Sequence, residues 1–80
     1  MENIKYYEVE FGKRTDETDV FSMCIVGVRK PTIEEAEKFL ASDLEMMGYD
    51  YVTEVLEIDY DEAHNFFDME RENDFPVFGN

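Results

Sequence analysis

The stretch LEIDYDEAHNFFDMERENDF, Leu56 to Phe75, sets the hardest condition on any fold of this chain. Its carboxylates must stay in water or be paired, because an unpaired ionised carboxylate is strongly penalised in an apolar interior. Phe66, Phe67 and Phe75, on the same stretch, gain by leaving water. One arginine, Arg71, and no lysine accompany them. Around Pro76, Phe75, Val77 and Phe78 are expected to pack on the domain's own sheet, with anchoring in a partner pocket as the alternative. Charge and aromatic area joined this closely point to a surface built to meet a partner.

The same imbalance runs through the whole chain. Residues 1–40 hold nine acids and six bases, and residues 41–80 hold twelve acids and one base. The net charge of −14 opposes compaction by self-repulsion. It argues against direct nucleic-acid binding, which needs Lys and Arg against phosphates, and against anionic membrane surfaces. A basic protein surface is the natural partner, and the second half of the chain is where contact is expected.

Eighty residues form one domain, with residues 73–80 readable as an extended tail. A chain of this size buries only roughly 60% of its unfolded surface. Twelve aromatics supply core material. Cys24 is the single cysteine, so no internal disulfide forms. No secretory signal and no apolar run of membrane-spanning length is visible. The expectation is a soluble cytoplasmic protein.

Periodicity gives the elements. NIKYYEVEF alternates, with Lys5, Tyr7, Val9 and Phe11 on one side and Ile4, Tyr6, Glu8 and Glu10 on the other. GKRTDETD reads as a hairpin loop, and VFSMCIVGV as a second strand covered on both faces or paired centrally. KPTIEEAEKFLASDLEMMG predicts a helix with Thr32 as N-cap, Glu35 completing a capping box and Gly48 as the C-terminal stop. Ile33, Ala36, Leu40, Leu44 and Met47 form its apolar stripe, which Phe39 widens. YDYVTEVLEIDY returns to strand character, and Asp59 can cap a second helix over YDEAHNFFDMERE. The expected fold class is α+β in the order β-β-α-β-α, with about three strands in the sheet and helices packed on one face. The strand order stays open.

Catalytic and metal-binding patterns are sparse. Cys24 and His64 are the only thiol and imidazole, and Cys24 sits where a small buried hydrophobe is expected. No phosphate loop, nucleophile elbow or HExxH is present. No enzyme activity and no cofactor is expected. Asp61, His64 and Asp68 share a helical face at i, i+3 and i+7, but one helix alone is a poor metal cage. The preferred reading of His64 is a surface histidine among carboxylates, with no metal site.

The acidic surface is the remaining constellation. Asp50, Glu54, Glu57, Asp59, Asp61, Glu62, Asp68, Glu70, Glu72 and Asp74 are the candidate partner-binding acids. Alternate strand residues stand about 6.5–7 Å apart, and i,i+4 helical neighbours about 5–6 Å. Regular negative charge at that spacing resembles a nucleic-acid backbone. Tyr49, Tyr51 and Tyr60 beside the acids can stack on guanidinium groups. Solubility alone is the competing explanation, although −14 exceeds the roughly 2–8 units that suffice for a small domain. On this reading, reversing Glu57, Asp59 and Asp61 matters more than changing Glu8 and Glu10.

In size, charge and organisation the chain resembles the small acidic inhibitors of phages and mobile elements, the anti-CRISPR and DNA-mimic anti-restriction proteins. The resemblance rests on no shared motif, so it assigns no residue a role. It implies a stoichiometric inhibitor, monomeric or homodimeric, acting in a bacterial cytoplasm. Its partner would be a basic nucleic-acid-binding protein, such as a CRISPR effector like Cas9 or another defence nuclease, occupied in its positive groove. The alternative class is an acidic subunit or antitoxin-like module docking on one specific basic protein.

Overall fold

The computed structural model describes residues 4–66 and 75–79. Its elements are β1 Lys5–Gly12, β2 Phe21–Gly27, α1 Ile33–Phe39, α2 Ala41–Met47, β3 Tyr51–Ile58, α3 Tyr60–Phe66 and β4 Val77–Phe78. The sheet order is β3-β1-β2-β4. β1 pairs antiparallel with both β2 and β3, and β4 lies parallel to β2. β2 and β3 therefore run the same way with β1 between them, and the helices cross over β1. Among the described residues no helix is long and apolar enough to cross a membrane.

Register explains why β1 organises the core. Tyr7 faces Ile25 and Glu57, and Val9 faces Met23 and Val55. Tyr7, Val9 and Phe11 enter one cluster with Ile25, Val52, Val55, Ala36, Leu40, Leu44 and Phe78. This is the layer under α1 and α2. Val52 and Val55, three residues apart, should point to opposite sides of a regular strand. A register shift between Glu10 and Phe11 absorbs Thr53 as an extra residue, so both valines reach the same core.

The predicted helix 30–48 forms as two segments. The Thr32 hydroxyl accepts from the Glu35 N–H at 3.1 Å, and the Glu35 carboxylate accepts from the Thr32 N–H at 3.0 Å. Leu40, at φ −107 and ψ 22, separates α1 from α2 although the Leu40 N–H still donates to Ala36 and the Leu44 N–H to Leu40. No proline or glycine marks the bend. Phe39 and Leu40, adjacent in sequence, both pack toward the sheet there. Gly48 ends α2 at φ 81, a left-handed conformation that suits glycine.

Two expectations need correction. The sheet has four strands, not three, because Val77 and Phe78 add β4 beside β2. The helices do not share one face. Tyr6, Cys24, Val26 and Ile58 point away from the α1–α2 layer and form a second cluster with Ala63 of α3 and Phe75. Tyr6 pairs laterally with Val26 and Ile58, so one row of the second face is apolar and needs a cover. Asp59 turns the chain onto it: its Oδ1 accepts from the Glu62 N–H at 2.8 Å, and its carbonyl from the Ala63 N–H. The continuation of the second predicted helix over residues 67–72 lies outside the described residues.

Phe75 closes this second layer. Its ring packs edge-on to Tyr6 at 5.8 Å and to His64 at 5.4 Å. Phe75→Ala should destabilise the domain by about 3–5 kcal/mol, through lost transfer energy and the cavity left behind. Leu56→Ala, at a half-exposed position, should cost far less. Urea midpoints of the two variants check the difference.

The acid limb of the stability curve has a second marker. The two terminal guanidinium nitrogens of Arg29 donate to the Glu35 carboxylate, at 2.9 and 2.7 Å, and hold its pKa at about 2 instead of the ordinary 4.5. A depressed carboxylate stabilises the fold above the unfolded value and loses that contribution as pH falls toward the folded one. Glu35→Gln should therefore flatten the loss of stability between pH 4.5 and 2 relative to the parent, read by thermal melts across that range.

A candidate acidic protein-interaction face

Among the described residues, the second face of the sheet is covered only at one end. α3 and Phe75 sit over the row that contains Tyr6. Further along, strand alternation sets Glu8 beside Leu56, and Glu10 between Glu54 and Ser22. The bulge turns Thr53 to this side too, where its hydroxyl donates to Glu10 Oε1 at 2.7 Å. Tyr51 lies opposite Gly12. A Cβ at Gly12 would stand 2.8 Å from Thr53 Cγ2 and 3.2 Å from the Tyr51 ring, so glycine allows this close cross-strand packing. The outcome is an open acidic face with a tyrosine at one end and Leu56, 44% exposed, at the other.

The electrostatics of this face are one-sided. Glu10 and Glu54 stand directly opposite each other, an arrangement of like charges that weakens a strand pair. Among the described residues, the strand positions of this face include no lysine or arginine. Three basic side chains are paired elsewhere: Lys5 with Glu57 at 3.7 Å, Lys13 with Asp19 at 3.0 Å, and Arg29 with Glu35.

The predicted contact residues divide into separate groups. Glu54 and Tyr51 belong to the open face. Glu57 pairs laterally with Tyr7 and so lies on the opposite side of the sheet, tied to Lys5. Its charge and, more strongly, burial push the Tyr7 hydroxyl above its ordinary pKa. Asp59, Asp61 and Glu62 are exposed around the first turn of α3, where Asp59 has the structural task of capping. Tyr60 stacks on His64 at 4.2 Å. Asp68, Glu70, Glu72 and Asp74 lie outside the described residues.

Tyr49 and Asp50 belong to the hairpin end. The Tyr49 hydroxyl donates to Asp19 Oδ1 at 2.9 Å, Lys13 sits 5.0 Å from the Tyr49 ring centre, and Phe21 stacks on that ring. Hydrogen bonds from Lys13 and Tyr49 hold the Asp19 carboxyl below its usual range. Asp50 Oδ2 accepts from the Arg14 N–H at 2.8 Å. These contacts order the β1–β2 loop.

Glu8 and Glu10, given less weight in the sequence analysis, share this face with Glu54. Their alternation in β1 was visible, but only the β1–β3 register sets them next to Glu54. His64 is also placed differently from the surface position expected: it is half-buried among Tyr6, Tyr60 and Phe75. Cys24 is buried, and burial pushes its thiol up to about 11. Among the described residues, no three His, Cys, Asp or Glu side chains converge on a metal-sized site.

Comparison with protein-family models, with curated proteins and with solved structures gives no match.

If Glu10 and Glu54 repel across the strand pair, Glu54→Lys should raise stability by about 0.5 kcal/mol. The same substitution at Glu45, exposed on α2, should leave it nearly unchanged. Parallel denaturant curves decide.

Proposed function

We propose that this protein is a stoichiometric inhibitor that presents its acidic sheet face as a nucleic-acid mimic to the basic groove of a defence nuclease. The observation that carries the reading is the open face itself, where Glu8, Glu10 and Glu54 are held on a rigid sheet without a basic neighbour among the described strand positions. In-strand neighbours on this face are about 6.5–7 Å apart. Tyr51 and Leu56 flank the acids, one able to stack on arginine and one to fill an apolar hollow. Like-charge opposition on a sheet lowers stability, and a binding surface is one reason to retain it. Long-range attraction to a positive groove would steer association and make it sensitive to salt.

This reading moves the expected contact. Reversing Glu57, Asp59 and Asp61 would alter three different environments, one of them a helix cap. Glu8, Glu10 and Glu54 form one surface, so their joint change to Lys should weaken inhibition at least about a hundredfold, mainly through slower association. A control pair, Glu17 and Glu45 changed to Lys, should cost far less. The test is DNA cleavage by RNA-guided effectors and restriction nucleases, titrated with parent and variants. Prior loading of the nuclease with its nucleic acid should block inhibition. Binding that persists on the loaded nuclease would identify a docking module instead of a mimic.

A further inference from the structure

The segment Phe75–Phe78 reaches both layers of the fold at once. Its two phenylalanines are buried in different clusters, Phe75 with Tyr6 and Ala63, and Phe78 with Ala36 and Leu40. These clusters lie on opposite faces of the sheet. Four residues beside β2 therefore carry one ring to each side.

On the α1 face, the Phe78 ring meets both ends of α1. Phe39, the last residue of that helix, packs edge-on to it at 5.4 Å. The Arg29 guanidinium sits 5.0 Å from its centre and is itself bonded to Glu35 in the first turn. On the other face Phe75 meets Tyr6 of β1 and His64 of α3. The backbone hold between the rings is short. The Val26 N–H donates to the Pro76 carbonyl at 2.9 Å, and β4 pairs Val77 with Val26 and Phe78 with Gly27. A Cβ at Gly27 would stand 3.0 Å from the Phe78 carbonyl oxygen, so glycine lets β4 lie this close.

Pro76 fixes its own φ and keeps Phe75 extended, so little chain freedom separates the docking of one ring from the docking of the other. Two anchors on so short and stiff a connection act together. When either is seated the other is held at high effective concentration, and the loss of either weakens both.

We propose that Phe75–Phe78 is a two-sided latch, which opens and closes on β2 as a unit and carries a change at α1 across the sheet to α3. Coupling of this kind needs an element with two arrangements whose balance both sites bias, and the two rings give each layer its hold on the latch. The two-residue strand gives it the low local stability from which moving elements are drawn.

The test is amide hydrogen exchange of the whole chain, followed residue by residue by NMR. The Val26 N–H reports the latch, the Ala63 N–H, bonded to the Asp59 carbonyl, reports α3, and Val9 on the central strand reports global unfolding. In the parent, Val26 should be protected at least about tenfold less than Val9, because the latch opens without the rest of the sheet. Phe78→Ala removes the ring on the α1 face and should lower protection about tenfold or more at Val26 and also at Ala63 on the other face. Val52→Ala opens the same α1-side core at the far edge of the sheet, and should lower protection at Val9 while leaving Val26 and Ala63 near their parent values. Gly27→Ala presses β4 outward with both rings intact, and gives a second variant with the same expected effect should Phe78→Ala fail to fold. Val26 exchanging in step with Val9 in the parent overturns the proposal. So does an Ala63 amide that both latch variants leave unchanged, or that Val52→Ala exposes equally.

Discussion

Because successive residues of an extended strand point to opposite sides, β1 serves two layers at once. Tyr7, Val9 and Phe11 enter the cluster under α1 and α2, while Tyr6 enters the cluster under α3. Pairing on both sides fixes which residues of β2 and β3 join each layer. Every later feature follows from this. The register places Ile58 and Val26 beside Tyr6 and so creates the apolar row that α3 covers. The same register places Glu54 beside Glu10, where no described helix covers them.

The distribution of charge follows the layers. Side chains in both clusters are apolar or aromatic, and no buried polar or charged residue is found among the described residues. The carboxylates are therefore left to faces, loops and helix ends. Several have structural partners: Glu35 with Arg29, Asp19 with Lys13 and Tyr49, and Asp59 with the first turn of α3. Among the described residues Glu8 and Glu54 show no comparable anchor, and Glu10 accepts from Thr53. That difference separates acids that hold the fold from acids available to a partner, a division that net charge alone does not make.

Local patterns were legible where the determinants are close in sequence. The capping box at Thr32 and Glu35, the stop at Gly48, the first hairpin and the cap at Asp59 depend on residues a few positions apart. Their hydrogen bonds form as the spacing predicts. The fourth strand was not legible, because two residues beyond Pro76 have no periodicity to read. The bulge at Thr53 was not legible either: it exists to align Val52 and Val55 with one core, a condition imposed by β1. Of the thirteen expected contact residues, Glu54 and Tyr51 share the open face, whereas Glu57 looks to the other side of the sheet.

The amino-acid sequence by itself determined that this chain folds as a small α+β unit with an acidic exterior. Alternation, helical stripes and caps act over a few residues, and a charge of −14 has nowhere to go but the surface. Only the tertiary structure decided which acids lie together and which part of the second face the described helices leave uncovered. Those outcomes depend on lateral pairing between strands more than ten residues apart, and a one-residue shift in that register exchanges the two faces of a strand.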